Sequence, residues 1–385
     1  RLLKSVGCPR LSSSFLNDIV EKKKWVTEIP QCIALINEAQ EVASQSLISL
    51  KSLPRSRDNV HNLICVTSSN FDDNNNNDEL TSVEIFDPAK NKWHQGKIER
   101  RKLFKDTAVI EDKIYFTSRF WYNGRSELDE GTLLFLDTTN NQFNELSMPS
   151  ADRVYGRTVS IDGLLYSVGK ALFGGEYSWR ALSSFDPSNP SAGWKRLANM
   201  RKERRGLSAG VMGGKIYVLG GSRCSDGETW KDGEVYDPFT DQWTLIADRP
   251  DIRFDCGTAS IGMEIYAVGG TELNELSGEE QASSSLLKYS PLTDTWTTLK
   301  DMNYSREDPL VASSGGKLYV CGGKGIDYNN VAQVECYDPL MDTWTEMAPM
   351  MDCPDGRLIM CAVPIPASLP TPNIETFPNS DISNA

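Results

Sequence analysis

The sequence predicts an all-β protein, a six-bladed β-propeller preceded by a short helical segment, and three observations support this fold class. A Trp or Phe recurs six times at intervals of about 50 residues. Five of these aromatic residues follow a turn of the form Tyr/Phe-Asp/Ser-Pro, and a hydrophobic run precedes each turn. Short β-branched or aromatic runs, separated by Gly, Asn and Asp-Pro turns, indicate four strands in each unit.

The repeat has two marks that can be followed along the chain. The first is the aromatic residue, which lies at Trp93, Phe143, Trp194, Trp243, Trp296 and Trp344. The second is a hydrophobic strand ending in Gly-Gly at 216–221, 265–270 and 318–323, with eroded copies at 63–68, 114–119 and 165–170. A regular period of this length is typical of propellers and other repeat folds.

The chain ends predict how the propeller closes. Residues 51–60 are polar and are interpreted as a linker, and residues 61–364 form the propeller. The first repeat lacks a first strand, and a spare apolar run at 357–363 follows the last Trp. We expect this run to complete the first blade, because pairing the two chain ends removes a free sheet edge. The Pro-rich residues 365–385 predict a disordered tail.

The N-terminal segment, residues 1–50, has no strand pattern. Its apolar residues have helical spacing at 11–20 and again at 32–43, and Pro30 suits the first turn of the second helix. The sequence starts at Arg1 without an initiator Met. We therefore expect it to be part of a longer protein.

These motifs resemble those of a known family. A strand ending in Gly-Gly, then Tyr-Asp-Pro, then a Trp six residues after the Asp, is similar to the kelch repeat over residues 60–364. Residues 1–50 resemble the C-terminal part of a BACK domain, as found in the BTB-BACK-kelch family. The resemblance implies four-stranded blades with the Trp packed between them, and a cullin-binding BTB domain upstream that is absent from this chain. The first three repeats depart from the pattern, since they lose Gly-Gly and Phe143 replaces one Trp.

Composition argues against several classes of function. A net charge of −13 disfavours nucleic acid and anionic membranes as partners. The two histidines, His61 and His94, are too few for a typical His-rich metal site, and no nucleophile or phosphate-loop motif is present. We therefore expect neither a cofactor nor a metal, and the chain is predicted not to be an enzyme. Nine scattered cysteines suit reduced thiols in the cytoplasm or nucleus.

One register of the repeats is basic. A cation stands nine residues before the turn that joins the first two strands, at Lys102, Arg153, Arg204, Arg253 and Arg306. The resemblance implies that these side chains lie near the mouth of the channel and bind an acidic peptide. The alternative is that they pair with acidic neighbours such as Glu203, Asp255 or Asp308 and only hold loops.

The loops after each second strand carry a second set of candidate binding residues. Exposed aromatic side chains beside arginines are typical of protein-binding hot spots. The candidates are Trp121, Tyr122, Trp179, Arg223, Trp230 and Tyr328. Each Trp could instead pack within its own loop.

The sequence thus predicts a protein–protein interaction module. The resemblance implies a substrate-recognition subunit of a cullin-RING E3 ubiquitin ligase that binds an acidic peptide segment on one propeller face. The alternative is a cytoskeletal, actin-binding or scaffold kelch protein that transfers no ubiquitin. An enzymatic propeller is the third hypothesis, which the shortage of His disfavours.

Overall fold

The structure is a computed structural model that describes most of the repeat region. The described residues are 60–69, 81–98, 104–118, 132–138, 142–147, 152–225, 227–274, 278–350 and 357–366. The predicted N-terminal helices, residues 51–59 of the linker and residues 367–385 of the predicted tail lie outside them.

The described residues are almost entirely β-strand and turn. One short 3-10 turn spans Pro190–Ala192. The strands are β1 (Val60–Ser69), β2 (Thr81–Asp87), β3 (Lys92–Ile98), β4 (Phe104–Ile110), β5 (Lys113–Ser118), β6 (Thr132–Asp137), β7 (Gln142–Ser147), β8 (Asp152–Val154), β9 (Arg157–Ile161), β10 (Leu164–Phe173), β11 (Glu176–Phe185), β12 (Lys195–Arg196), β13 (Ser208–Met212), β14 (Lys215–Leu219), β15 (Gly233–Asp237), β16 (Gln242–Ile246), β17 (Arg253–Phe254), β18 (Gly257–Ile261), β19 (Glu264–Val268), β20 (Thr271–Leu273), β21 (Glu280–Ala282), β22 (Leu286–Ser290), β23 (Thr295–Thr298), β24 (Leu310–Ser314), β25 (Lys317–Cys321), β26 (Val334–Asp338), β27 (Thr343–Met347) and β28 (Arg357–Pro366).

The strands pair into small antiparallel sheets, one for each sequence repeat. Four-stranded sheets have the orders β4-β5-β6-β7, β13-β14-β15-β16, β18-β19-β22-β23 and β24-β25-β26-β27. A further four-stranded sheet has the order β28-β1-β2-β3. In the sheet β12-β11-β10, the long strand β10 pairs with both β9 and β8. A small extra sheet, β17-β20-β21, extends the fifth repeat. Several compact four-stranded sheets in sequence order make the fold all-β and propeller-like.

The first strand of each sheet lies beside the first strand of the next. Contacts join β28 to β4, β4 to β9, β9 to β13, β13 to β18, β18 to β24 and β24 to β28. Residues of β4, β9, β13, β18 and β24 line a cavity of about 340 Å³. The approach of neighbouring strands is close, because a Cβ on Gly257 would lie 2.2 Å from the side chain of Val311. These strands therefore stand around a common cavity.

Apolar clusters fill the spaces between neighbouring sheets. Between the third and fourth repeats, Trp243 packs with Tyr166, Met200, Leu207 and Tyr236, all of which are buried. Equivalent clusters form around Tyr289 in the next interface and around Tyr337 in the one after it. Burial of these large aromatic side chains stabilises the interfaces, at roughly 25 cal/mol for each Å² of apolar surface.

At each of these interfaces, two hydrogen bonds to one backbone residue connect the neighbouring sheets. Trp243 Nε1 donates to the carbonyl of Ala198 at 2.8 Å, and the amide of Ala198 donates to Asp241 Oδ1 at 2.9 Å. Tyr236 Oη also donates to Asp241 Oδ1, at 2.8 Å. Both backbone groups of Ala198, in the third repeat, are therefore satisfied by side chains of the fourth. We call this arrangement the inter-repeat bridge.

The inter-repeat bridge recurs with the same geometry. Ala247 is held by Asp294 and Trp296, at 2.8 and 2.9 Å. Lys300 is held by Asp342 and Trp344, at 3.0 and 2.7 Å. The bridging acids adopt positive φ, which Asp and Asn tolerate better than other non-glycine residues; the values are 53° at Asp241, 51° at Asp294 and 49° at Asp342.

One further bridge connects sequence-distant repeats. Ala348, after β27, donates to Asn91 Oδ1 at 2.8 Å and accepts from Trp93 Nε1 at 2.8 Å. Asn91 has φ 48°, so it replaces the aspartate in both conformation and contact. The last complete repeat is thus joined to the first in the same way as neighbouring repeats are joined to each other.

Trp243→Phe tests the bridge because it keeps an aromatic ring and removes the N–H donor. We expect a loss of about 1 kcal/mol of unfolding free energy from the hydrogen bond, measured by urea denaturation. Phe239→Ala is the control, because Phe239 is 96% exposed on the adjacent turn. Equal unfolding free energies for Trp243→Phe and the parent protein would show that the hydrogen bond contributes nothing.

Candidate functional site

Arg204, predicted to face a partner, lies inside the fourth repeat. Its Nη1 donates to the carbonyls of Gly220 at 2.8 Å and Asp232 at 3.1 Å. Its Nη2 donates to the Asp232 carboxylate at 2.7 Å, and its Nε donates to Glu234 at 3.1 Å. The side chains of Arg204 and Glu234 are fully buried. The guanidinium therefore has its donors engaged by its own sheet.

The equivalent residue of the sixth repeat, Arg306, repeats these contacts. Nη1 donates to the Gly322 carbonyl at 2.8 Å, and Nη2 donates to the Gln333 carbonyl at 2.8 Å and to Glu335 at 3.2 Å. Burial lowers the pKa of Arg306 below its ordinary value, and the neighbouring Glu335 carboxylate opposes that shift. A buried cation of this kind is stable only while its carboxylate partner and carbonyl acceptors are in place.

Arg253 of the fifth repeat is buried with a different partner. Its Nη1 donates to the carbonyls of Gly269 at 2.6 Å and Ser285 at 2.9 Å, and its Nε lies 2.8 Å from Asp251. The glutamate of the other two repeats is replaced by Leu287 here. Arg253 Nη2 finds no hydrogen-bond partner among the described residues.

The structure corrects the prediction of a basic rim formed by these arginines. Arg204, Arg253 and Arg306 are at most 1% exposed, so their guanidinium groups are structural rather than partner-facing. The Gly-Gly bends turn backbone carbonyls inward, and a buried carbonyl requires a donor. Arg153 lies in β8, opposite Leu172 of β10, and its side chain lies outside the described residues, as does Lys102. For these two positions partner binding remains a prediction.

A different arginine reaches one end of the cavity. Arg157, at the start of β9, donates from Nη2 to Asp308 Oδ1 at 2.7 Å and from Nε to the Leu207 carbonyl at 3.4 Å. Asp255 lies 3.9 Å from the same Nη2. The Asp308 carboxylate raises the pKa of Arg157 above its ordinary value, and Asp106 and Asp255 add to the effect. These four described groups carry one positive and three negative charges, so the surroundings of Arg157 are acidic rather than basic.

Two aromatic residues of β11 and one between β8 and β9 surround a lysine of β10. The Nζ atom of Lys170 lies 4.5 Å from the ring centre of Tyr177, 5.0 Å from that of Trp179 and 5.6 Å from that of Tyr155. Tyr177 is 59% exposed. Cation–π attraction fixes these rings at the surface, where they present apolar faces beside a positive charge.

Trp230, in the loop between β14 and β15, forms a second cluster. Lys202 Nζ lies 4.2 Å from its ring centre, and the guanidinium carbon of Arg223 lies 5.2 Å from it. Arg223 also pairs with Glu228. The ring borders a groove of about 570 Å³, whose lining residues are Lys202, Thr229, Trp230, Lys231, Asp232, Asp248, Ile252 and Leu273.

The segment around the buried Arg204 joins the two aromatic clusters. The Arg204 amide donates to the Trp179 carbonyl at 3.3 Å, and Trp230 Nε1 donates to the Glu203 carbonyl at 2.9 Å. The backbone of Arg205 pairs with Ser222. Arg204 therefore anchors the segment that positions both tryptophans, and we call the surface formed by Lys170, Tyr177, Trp179, Lys202, Arg223 and Trp230 the tryptophan surface.

The remaining predicted site residues are separate from this surface or undescribed. Tyr328 is 69% exposed in the loop between β25 and β26, with φ 60° and with Ile326 exposed nearby. Trp121 and Tyr122 lie outside the described residues. Sequence reasoning missed Lys170 and Lys202, although Lys170 could have been noticed because it replaces the second glycine of the Gly-Gly pair in its repeat.

Electrostatics at the groove involve Asp232. Burial acts to raise the pKa of Asp232, but hydrogen bonds from Lys202 and Arg204 outweigh it and lower that pKa below the ordinary value. Asp232 thus remains ionised and links the buried arginine to the surface lysine.

Among the described residues, no His, Cys, Asp and Glu side chains cluster in a way that could hold a metal ion. No helix in the described part of the chain has the length and apolar character needed to cross a membrane.

Comparison with known proteins identifies the last three repeats. The Kelch motif matches residues 203–250, 252–303 and 305–351. The chain is 34% identical over 162 residues to Kelch-like protein 25 of Xenopus tropicalis, covering 41% of this chain and 26% of that protein. It is 24% identical over 344 residues to Kelch repeat and BTB domain-containing protein 1 of Vaccinia virus (strain Copenhagen), covering 89% of this chain and 56% of that protein. The chain thus spans only part of the length of these relatives.

A solved structure shows the same fold. The structure of YjhT superposes with a TM-score of 0.51 at 15% identity, covering 67% of this chain and 87% of that one. This likeness concerns the fold alone.

Arg204→Ala and Arg205→Ala provide a test of the structural role of Arg204. Arg204→Ala leaves the buried Glu234 without its cationic partner, with only the amides of Arg201 and Lys202 donating to it, and should cost about 3–5 kcal/mol of unfolding free energy. Arg205 is exposed, so its truncation should change stability by less than about 0.5 kcal/mol. Urea denaturation measures both. A folded Arg204→Ala variant with unchanged stability would contradict the buried role.

Proposed function

We propose that this chain, a kelch-repeat protein related to kelch-like and kelch/BTB proteins, is the partner-binding part of a substrate adaptor for a cullin-RING ubiquitin ligase. The observation that carries the binding role is the tryptophan surface. The exposed ring of Tyr177 and the half-buried rings of Trp179 and Trp230, beside lysine and arginine, have the composition of protein-binding hot spots. Their loops are fixed to a rigid sheet by the segment around Arg204, which reduces the entropy lost on binding.

Charge favours an acidic peptide segment as the partner. The chain carries a net charge of −13, yet Lys170, Lys202 and Arg223 all lie beside the aromatic rings of this surface. Lys202 and Arg223 pair with Asp232 and Glu228, so carboxylates of a partner would compete with these acids for charge-assisted hydrogen bonds, while its apolar side chains would cover Trp179 and Trp230. Tyr328 and the undescribed Trp121 and Tyr122 would extend the same interaction across other repeats.

The ligase role rests on the relatives and on the resemblance of the N-terminal segment to a BACK domain. Some relatives are named for both kelch repeats and a BTB domain, and the chain covers 56% of one of them. In the longer protein, an upstream BTB domain would bind the cullin, and the tryptophan surface would hold the substrate. Holding both in one assembly raises the local concentration of substrate lysines near the ubiquitin-loaded enzyme.

The proposed scaffold is a closed ring of six blades. Three observations support closure: β28 lies next to β1 in one sheet, β28 contacts both β24 and β4, and the inter-repeat bridge from Ala348 reaches Asn91 and Trp93. Closure would leave no exposed inner edge in the ring and would hold the loops of successive repeats in fixed relation.

Binding can be tested with an array of equal-length peptides whose net charge varies from acidic to basic. The parent protein should retain acidic peptides containing aromatic residues, and added salt should weaken that retention. Trp230→Ala should reduce affinity at least about tenfold, which corresponds to roughly 1.4 kcal/mol. Phe239→Ala serves as the control because it removes an exposed ring outside this surface. Retention that is independent of peptide charge and of Trp230 would contradict the assignment.

The ligase role needs a separate readout, which is co-purification of a cullin with the longer protein. We expect a cullin to be recovered with the protein that carries the upstream region, both with and without Trp230→Ala. Residues 1–385 alone should recover none. If the longer protein recovers no cullin while peptide binding persists, the ligase role is wrong and the interaction module stands.

A further inference from the structure

The junction of the fourth and fifth repeats differs from the other junctions at two buried positions. A buried methionine lies two residues after the bridged backbone residue at Met200, Met302 and Met350, but at the end of the fourth repeat this position holds Arg249. Arg249 is only 2% exposed, and its amide bonds to the Lys231 carbonyl as the amide of Met200 bonds to that of Arg180. The second difference is Leu287, which replaces the glutamate that accepts from the buried arginine.

Arg249 is directed at a thiol. Its Nη1 donates to Cys256 Sγ at 3.4 Å, and its Nη2 donates to the Arg253 carbonyl. Its Nε has no hydrogen-bond partner among the described residues, and the nearest carboxylate, that of Asp251, is 3.9 Å away. Cys256 is 3% exposed. A buried donor thus remains unsatisfied beside a sulfur atom.

The charges around this thiol are unbalanced. Arg249 and Arg253 are two buried cations, and within the described part of the chain both face one acid, Asp251, which forms its 2.8 Å contact with Arg253. A buried guanidinium without a dedicated carboxylate is costly, whereas a methionine fills the equivalent space in other repeats at no electrostatic cost. An additional anionic acceptor close to Arg249 would balance the charge of its guanidinium and accept a hydrogen bond from its Nε.

We propose that Cys256 is a site of reversible oxidation by a small hydroperoxide and that Arg249 holds the oxidised group. The sulfur attacks one peroxide oxygen, so the S–O bond forms as the O–O bond breaks. The thiol proton passes to the departing hydroxide to give water when hydrogen peroxide is the oxidant. Sulfur is thereby oxidised to a sulfenic acid and the peroxide is reduced. The new oxygen accepts hydrogen bonds from Arg249. A methionine at position 249, as in the other repeats, has no donor for this oxygen.

The cavity is the route that we propose for the oxidant. Cys256 is among the residues that line the 340 Å³ cavity, next to Gly257 at the start of β18. A cavity of this size admits molecules near the size of water. Cys336 offers an internal comparison, since it is also buried and burial raises the pKa of its thiol.

The consequence of oxidation would reach the groove beside Trp230. The segment that carries Arg249 includes Asp248 and Ile252, which line that groove, and the Arg249 amide bonds to Lys231 on its other wall. A new acceptor on Cys256 would draw Arg249 Nη1 and Nε towards it. Hydrogen–deuterium exchange of residues 248–252 should then change on oxidation.

The test is treatment of the folded protein with graded hydrogen peroxide, followed by dimedone trapping and mass spectrometry of each cysteine peptide. We expect sulfenic acid at Cys256 at several times the level at Cys336 in the folded protein, and equal levels in urea. Arg249→Met installs the residue of the other repeats and should reduce trapping at Cys256 at least about fivefold without unfolding the chain. Arg249→Lys, which retains a donor, should give an intermediate level.

Two results would overturn the proposal. One is equal trapping at Cys256 and Cys336 in the folded parent protein, which requires no variant to interpret. The other is undiminished trapping at Cys256 in folded Arg249→Met or Arg249→Lys. Exchange in residues 248–252 that is identical before and after oxidation would refute the link to the groove.

Discussion

The inter-repeat bridge is the interaction on which the rest of this structure depends. In each case the tryptophan and the acid or asparagine of one repeat satisfy both backbone groups of a single residue in the preceding repeat. That residue lies on the connection between two sheets, so the bridge ties this connection to the next sheet through side-chain hydrogen bonds. The bridge therefore sets the spacing of adjacent sheets, and the apolar clusters fill the space so defined. Its use of Ala348 and Asn91 applies the same constraint between the last complete repeat and the first.

The repeat architecture could be predicted from the sequence because its determinants are local. The Tyr-Asp-Pro turns, the glycine pairs and the spaced tryptophans are each recognisable from a few neighbouring residues. The structure has a compact sheet at each copy of the repeat. The aspartate of the bridge was missed, although it lies two residues before the tryptophan in three repeats. Its role is to accept a hydrogen bond from another sheet, and no local pattern shows that partner.

The candidate site could be predicted only in part, for a related reason. Sequence register located Arg204, Arg253 and Arg306 correctly at equivalent positions. It could not show that all three are buried and donate to backbone carbonyls, or that Glu234 and Glu335 pair with Arg204 and Arg306. The loop residues Trp179, Arg223 and Trp230 were recognised from composition alone. Their grouping with Lys170 and Lys202 arises from contacts between residues that are up to about 30 positions apart. The buried arginine and the surface thus belong to one arrangement, in which Arg204 fixes the loops that present the tryptophans.

The central claim is that the two chain ends complete one ring through β28 and the bridge at Ala348. Hydrogen–deuterium exchange of β1 and β2 in a chain ending at Asp355, compared with residues 1–385, tests this most directly. The account predicts that removal of β28 leaves the β1 edge unpaired, so that amides of β1 and β2 lose protection and the loss spreads to the neighbouring repeats. Unchanged protection of β1 and β2 in the shortened chain would contradict ring closure.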